Sequence, residues 1–295
     1  MNISFEYYRI FYYVAKYENI TKAAMVLKSS QPNVTRIIHL LEDQLDCRLF
    51  LREPRGLKLT EEGKRLYDHV AIACQHLLDA EAELCWNKNI CSGTIELGVT
   101  ETALHLFLLK HLHGFQQKYS DIKIRIQNNT TPGILKALLN GRLDLAIVTT
   151  PFELNDTFAC EDLMTFREVP AGGSEYRALA GHPMSLKEFR FHSIIGLGYG
   201  TASYEYYRKV FIEQHLDYEP AMEVATADLV IPLLQNNLGV GFIPEPLAAP
   251  FFEDQSLVPL SLNVPLPSRD VKMLWDKSLS QSRAAATFCD YLRSL

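Results

Sequence analysis

The 295-residue chain lacks several things whose absence narrows what it can be. No apolar run reaches the eighteen or so residues needed to span a bilayer, so no membrane partner is expected. The opening MNISFEYYRIF has no basic segment followed by a long apolar one, which argues against a secretion signal and for a cytoplasmic location. The six cysteines (Cys47, Cys74, Cys85, Cys91, Cys160, Cys289) are scattered, without a CxxC spacing. Free thiols in a reducing compartment fit that scatter better than a disulfide framework or a metal site. His111 and His113, two apart on an expected helix, point to different faces and make a poor metal pair. Neither a nucleophile–base–orienter set nor a glycine-rich phosphate loop is found, so no catalytic machinery, metal or cofactor is read.

Hydrophobic residues make up 47% of the chain and charged residues 22%, as in a globular protein able to bury a full core. The length suggests two or three domains. The net charge of −6 is unevenly distributed. Residues 1–60 hold nine Lys/Arg against six Asp/Glu, a balance of +3, and the remainder carries −9. A cationic head on an acidic body suits a small nucleic-acid reader joined to a different module.

Within the head, Ile20 to Leu45 read as two helices joined by a tight turn. Thr21 to Lys28 form a short helix, Ser29-Ser30 interrupt it, and Pro32 takes a first-turn position where its missing N–H has no helical partner anyway. Val34, Ile38, Leu41 and Leu45 then follow at spacings of four, three and four, one buried stripe. Asn33, Thr35, Arg36 and His39 lie off the stripe and can all hydrogen-bond. This is the plan of a helix-turn-helix entering a DNA major groove, although two helices and a turn also occur in ordinary cores. Phe5, Ile10, Phe11, Val14 and Ala15 predict a further helix over 4–18, packed behind the pair. Residues 46–52 and 57–59 read as short strands about the turn Glu53-Pro54-Arg55-Gly56, a wing with Arg52 and Arg55 at its tip. Thr60 is a good N-cap, followed by Glu61 and Glu62. Leu66, Val70, Ala73, Leu77, Ala80 and Leu84 then keep a heptad seam for almost three heptads. A helix from Thr60 to Asn87 would be roughly 40 Å long and asks for a partner, best supplied by an antiparallel or crossed helix of a second subunit, with packing onto the second domain of the same chain as the alternative.

From Ser92-Gly93 the pattern becomes strand–helix alternation. Strands are expected over 94–99, 122–126, 143–148, 163–169, 193–197, 221–225, 239–244 and 269–275. Helices are expected over 102–118, 132–140, 202–215, 226–236 and 282–292. Such alternation predicts parallel α/β sheets covered on both faces, in two lobes that share a cleft beyond the strand ends.

At this point the residues resemble the LysR-type transcriptional regulators over essentially the full length. The resemblance is carried by Phe11, Thr21, Ala23, Ala24, Leu27, Ser30-Gln31-Pro32, Val34, Thr35, Ile38, Leu41-Glu42, Leu45, Leu49-Phe50, Arg52, Leu59-Thr60 and Gly63. In the second module, Gly141 to Ile147 (GRLDLAI) and Gly239 to Pro244 (GVGFIP) also resemble that family. It implies an α/β protein with an all-α/winged-helix N-terminal domain: a winged helix-turn-helix over 1–59, a dimerising linker helix over 60–90, and a two-lobed effector domain, like periplasmic binding proteins, over 91–295. Lobe I would take about 91–162 and 266–295, and lobe II about 163–265. The implied function is sequence-specific regulation of transcription in a bacterial cell, modulated by a small effector. Double-stranded promoter DNA is the implied partner, the assembly a homodimer or homotetramer, and RNA polymerase a candidate contact. Two other readings stay open from the residues alone: a solute-binding protein, which the lobes would support, and an α/β enzyme with a helical dimerisation arm. Asp46 stands where the family usually has glycine, so a differently shaped helix end is expected. Ile37 and Leu40 are apolar at usually polar positions, free to touch thymine methyls or pack under the wing.

The DNA contacts expected are Thr21, Ser30, Gln31, Pro32, Asn33, Thr35, Arg36 and His39, with Arg52 and Arg55 on the backbone. Arg36 has the donor geometry for guanine and Asn33 for adenine; Thr21 could equally cap its own helix. For the effector, hydroxyls gather where strands end: Thr100, Thr102, Thr130, Thr149, Thr201 and Ser203. In family members the ligand sits at positions matching Thr100, Thr102, Thr149 and Thr201. Hydroxyls at helix starts favour an anion, so a small organic acid, an amino-acid derivative or an oxyanion is expected. Glu101, if it points inward, opposes a bare anion and could receive an amine.

Overall fold

The computed structural model describes residues 3–53, 56–85 and 93–295. The chain divides into two compact units, Met1–Lys88 and Asn89–Leu295.

The first unit holds α1 (Phe5–Tyr17), α2 (Ile20–Val26), α3 (Gln31–Leu45), the antiparallel pair β1 (Phe50–Glu53) and β2 (Gly56–Leu59), and α4 (Glu61–Cys85). Side-chain caps set the helix starts. Asn19 accepts from the Lys22 amide at 2.9 Å to open α2, and Ser30 accepts from the Asn33 amide at 3.4 Å to open α3. The cap of α2 is therefore Asn19, and Thr21 is released for other contacts. Val34, Ile38 and Leu41 are buried in one core with Phe11, Val14 and Ala23. Ile37 joins them there, so it neither faces a groove nor packs under the wing alone. Phe5, expected inside, is 48% exposed.

The end of α3 keeps a left-handed cap without glycine: Asp46 takes φ 52 and ψ 38, and its amide returns to the helix carbonyls of Asp43 and Glu42. Aspartate tolerates this conformation better than most residues, so the helix end keeps the shape glycine would give it, against expectation. In the last turn of α3, the buried Glu42 carboxylate accepts from the amides of Leu49 at 2.7 Å and Phe50 at 3.3 Å and from Arg48 at 2.8 Å. Burial alone would raise its pKa, but the Leu49 amide, the Arg48 guanidinium and the Phe50 amide more than offset this and hold it below the usual carboxylate value. Glu42 thus pins the wing to α3.

Thr60 caps α4 by accepting from the Gly63 amide at 2.9 Å, while its hydroxyl donates to the Arg48 carbonyl at 2.7 Å. Gly63 is required by close approach, because a Cβ there would overlap the Leu49 carbonyl oxygen. The helix has 25 residues, about 37 Å at 1.5 Å per residue. Its heptad positions divide into two groups. Val70 is buried and Leu66 partly buried in the core of their own unit. Ala73 is exposed, and Leu77 and its neighbour Leu78 are 48% and 38% exposed. The side chains of Ala80 and Leu84 lie outside the described residues, as do Arg55 and the side chain of Arg52.

The second unit contains two five-stranded sheets. In chain order its elements are β3 (Gly93–Val99), α5 (Glu101–Ala103), which runs through a π-turn over Leu104–Leu108 into α6 (Leu109–Lys118), β4 (Ile122–Asn128), α7 (Thr131–Leu139), β5 (Leu145–Thr149), β6 (Phe158–Phe166), β7 (Glu168–Gly172), α8 (Leu186–Phe189), β8 (Ile194–Leu197), α9 (Ala202–Glu213), β9 (Met222–Val224), α10 (Val230–Gln235), β10 (Val240–Pro244), α11 (Glu245–Glu253), β11 (Val258–Pro259), β12 (Arg269–Asp276) and α12 (Arg283–Arg293). Lobe I has strand order β4-β3-β5-β12-β6 and lobe II β11-β7-β10-β8-β9. Phe115 and Phe288 from α6 and α12 pack with Leu97 and Met273, and Ile134 and Leu138 of α7 pack with Ala146 and Leu274. In lobe II, Tyr207 and Phe211 of α9 pack with Phe242, and Val230 and Leu234 of α10 with Ile195.

Two expectations need correcting. The sheets are mixed, since β12 runs antiparallel to both β5 and β6, and β7 runs antiparallel to β10. The strand expected over 163–169 is instead two strands in different sheets, β6 ending at Phe166 and β7 starting at Glu168, so the chain leaves lobe I at Arg167 rather than near residue 162.

Candidate functional site

In the first unit, α3 offers a shallow concave face made by Gln31, Pro32, Thr35, Arg36, His39, Leu40 and Asp43. Several of the polar groups are already engaged. Arg36 donates to Asn33 Oδ1 at 3.1 Å, and the Asn33 amide donates to Ser29 Oγ at 3.1 Å. Thr35 Oγ1 donates to the Gln31 carbonyl at 3.0 Å, and Thr21 Oγ1 to Gln31 Oε1 at 3.4 Å. Ser30 serves as the α3 cap. Gln31, Pro32, Arg36, His39 and the acidic Asp43 remain exposed on the face, and Leu40 adds an apolar spot among them. His39 Nδ1 lies 3.4 Å from Glu42 Oε2, which ties the outer face of α3 to the carboxylate that holds the wing. Arg52 is placed on β1 opposite Leu57.

In the second unit, a cleft of about 290 Å³ opens between the two lobes. It collects all six hydroxyl residues singled out in the sequence: Thr100, Thr102, Thr130 and Thr149 from lobe I, and Thr201 and Ser203 from lobe II. They differ in what they have free. Thr130 Oγ1 caps α7 through the Gly133 amide at 3.4 Å. Thr201 Oγ1 caps α9 through the Tyr204 amide at 3.1 Å and donates to the Gly198 carbonyl at 2.9 Å, which uses its hydrogen. Thr100 stands at a helix start without capping it, and its buried Oγ1 has no partner among the described residues. A buried hydroxyl left unpaired costs on the order of 1–3 kcal/mol, so this one calls for an explanation.

Behind the cleft lies a buried ion pair that the sequence reading missed. Arg269 and Glu168 are each 1% exposed at the side chain, with Nη1 2.5 Å from Oε1. Burial pushes the Glu168 carboxyl up and the guanidinium opposes that rise. Arg269 also donates to the Thr150 carbonyl at 2.7 Å, Ser203 Oγ at 3.1 Å and Thr149 Oγ1 at 3.3 Å. One signal in the sequence pointed here: two-residue alternation along β12 puts Arg269 on the inward face with Val271 and Met273.

Glu101, also on the cleft wall, is the ionisable side chain among the described residues that line it. Desolvation, and then the hydrogen-bonded Asp228 carboxyl from the other lobe, push its pKa up to about 7. Asp228 moves the opposite way, held low first by the Thr226 hydroxyl and also by Glu101. Two carboxyls in contact cannot both be charged cheaply, and here the proton resides on Glu101. The expected opposition to an anion is thereby weakened.

The model of the bacterial regulatory helix-turn-helix protein, lysR family, matches residues 5–64, and that of the LysR substrate binding domain matches residues 91–295. The chain belongs to the LysR family. Its curated relatives include the HTH-type transcriptional regulator YofA of Bacillus velezensis, 25% identical over 97% of this chain and 96% of that protein. The RuBisCO operon transcriptional regulator of Allochromatium vinosum is 22% identical over 100% and 97%. Among solved structures, the LysR family regulator CbnR superposes with a TM-score of 0.68 at 16% identity, covering 99% of this chain and 98% of that one. HinK of Pseudomonas aeruginosa gives 0.58 at 24% identity, covering 99% and 98%. The two units are thus those of a LysR-type transcriptional regulator, a DNA-binding helix-turn-helix module and an effector-binding module. Among the described residues, no helix is long and apolar enough to cross a membrane.

Proposed function

We propose that this LysR-type regulator reads promoter DNA with the exposed face of α3 and is controlled by a small anionic effector, a carboxylic acid or oxyanion, held in the interlobe cleft. The observation that carries the effector reading is the unpartnered Thr100 Oγ1, buried on a wall where Thr149 and Ser203 also have hydrogens to donate. An anion accepting from these three hydroxyls satisfies the orphan and brings the lobes together. Glu101, its pKa raised to about 7, can donate to the far end of such a ligand when protonated, and when ionised it can receive the amine of an amino-acid derivative. The cleft volume of about 290 Å³ suits a compact acid.

On the DNA side, Gln31, Arg36 and His39 are exposed polar groups of α3 toward its N-terminal end, with the exposed Asp43 farther along the same face, and Arg36 is the natural guanine reader. The exposed Ala73 and Leu77 of α4 form the start of a subunit seam below the point where Leu66 and Val70 are consumed by their own core. A homodimer paired through α4 would set two such faces on a two-fold site.

A thermal-shift screen of small acids on the full chain tests the effector reading, because a ligand of the folded state raises the melting temperature by mass action. At least one acid should raise it for the native protein. Thr100→Val should abolish that rise while itself increasing resting stability, since it removes the unpaired hydroxyl. A rise that persists in Thr100→Val would place the ligand elsewhere. Arg36→Ala should weaken the retardation of DNA from upstream of its own gene by about 1–3 kcal/mol.

A further inference from the structure

Arg269 does not line the cleft, yet two of its four hydrogen bonds run to hydroxyls that do. We propose that Arg269 is a positioning residue that makes the cleft selective for anions, by holding the Thr149 and Ser203 hydroxyls as donors. The proposal rests on the reading of the cleft as the site of a small anion.

A threonine or serine hydroxyl has one hydrogen and two lone pairs. A guanidinium N–H aimed at the oxygen from behind occupies a lone pair and leaves the hydrogen to point away, which here is into the cleft. A guanidinium has no acceptor and does not lose its protons, so this polarity is fixed. No acceptor for either hydroxyl hydrogen is found among the described residues. The same guanidinium is screened from water, with its carbon 5.4 Å from the Phe166 ring centre and 5.0 Å from that of Tyr206. Tyr206 is in turn fixed by donating to the Pro267 carbonyl at 2.6 Å.

Glu168 neutralises the charge of Arg269, so the selectivity does not arise from a net positive potential. It comes from oriented dipoles, the arrangement that best favours an anion without reorganisation. The pair also occupies both crossovers: Glu168 opens β7 and Arg269 opens β12, while Thr149 belongs to lobe I and Ser203 to lobe II. One buried side chain therefore sets the polarity of both cleft walls.

Methanesulfonate and methanesulfonamide, nearly the same shape but differing in charge, are suitable probes for calorimetric titration of the full-length protein. The native protein should prefer the anion. The double variant Glu168→Gln/Arg269→Gln, which leaves no buried charge unpaired, should lose that preference by at least about tenfold, one charged hydrogen bond's worth. A merely structural lesion would weaken both probes alike and leave the ratio unchanged. Arg269→Lys keeps the ion pair but presents its donors from one point, so it should retain an intermediate preference. It also decides the matter if circular dichroism shows the double variant unfolded. An unchanged ratio in a folded variant overturns the role of Arg269 and leaves the anion site standing. A native protein without preference for methanesulfonate overturns the anion reading and this inference together.

Discussion

Replacing Glu101 by glutamine should alter stability in one pH window and in one direction. The Glu101 carboxyl is 14% exposed and its pKa is lifted from the ordinary 4.5 to about 7 by burial and by Asp228. Between those values the folded protein holds a proton at this site that the unfolded chain has released. Stability therefore falls as pH rises through the window, and the penalty is complete above pH 7. The full lift corresponds to at most about 3 kcal/mol, at 1.36 kcal/mol per pH unit. Glutamine imitates the protonated acid and cannot ionise. Glu101→Gln should match the native protein near pH 5 and exceed it progressively towards pH 8. In a domain of this size each kcal/mol is about 2–4 °C of melting temperature. Asp228 does not blur the window, because its pKa is lowered from 3.8 and its own contribution is lost only below that value. His105, 3.5 Å from the Glu101 carboxylate, is left in place in both proteins. Paired thermal melts from pH 5 to 8.5 read the difference directly. A difference that does not change with pH, or a variant less stable at pH 8, would refute the shared-proton account.

Glu42→Ala should destabilise the winged module by about 2–4 kcal/mol in urea, because the buried amide of Leu49 loses its acceptor and Phe50 and Arg48 lose theirs; a loss under 1 kcal/mol would show that Glu42 does not pin the wing. Leu77→Glu, at a seam position 48% exposed on its own subunit, should lower the mass measured by sedimentation equilibrium and weaken binding to a two-fold DNA site. An unchanged mass would move the subunit seam off α4.

Much of this was legible because burial and periodicity are local. The stripe of Val34, Ile38 and Leu41 and the Thr60 start of α4 could be read residue by residue. The cleft was legible through a rule about topology: side chains just past parallel strand ends gather, and the six hydroxyls did. What stayed hidden depends on distant partners. Arg269 and Glu168 lie about a hundred residues apart in the chain, and nothing near either announces the other. The division of 158–172 into two strands was hidden because a chain that changes sheets at Arg167 needs no glycine or proline to do so. The direction of β12 follows from where lobe II returns the chain, not from its own sequence. Ile37 went to the core because α3 buries a wider stripe than a four-three-four spacing marks, and the heptads of α4 could not show that Leu66 and Val70 pack within one subunit.

If the cleft of one unit controls the DNA-reading helix of the other, a hydroxyl-radical footprint on DNA upstream of the gene tests that coupling most directly. An acid found to stabilise the native protein should change its protected pattern, and the same acid should leave the pattern of Thr100→Val unaltered. A native footprint that is identical with and without a saturating acid would contradict the account.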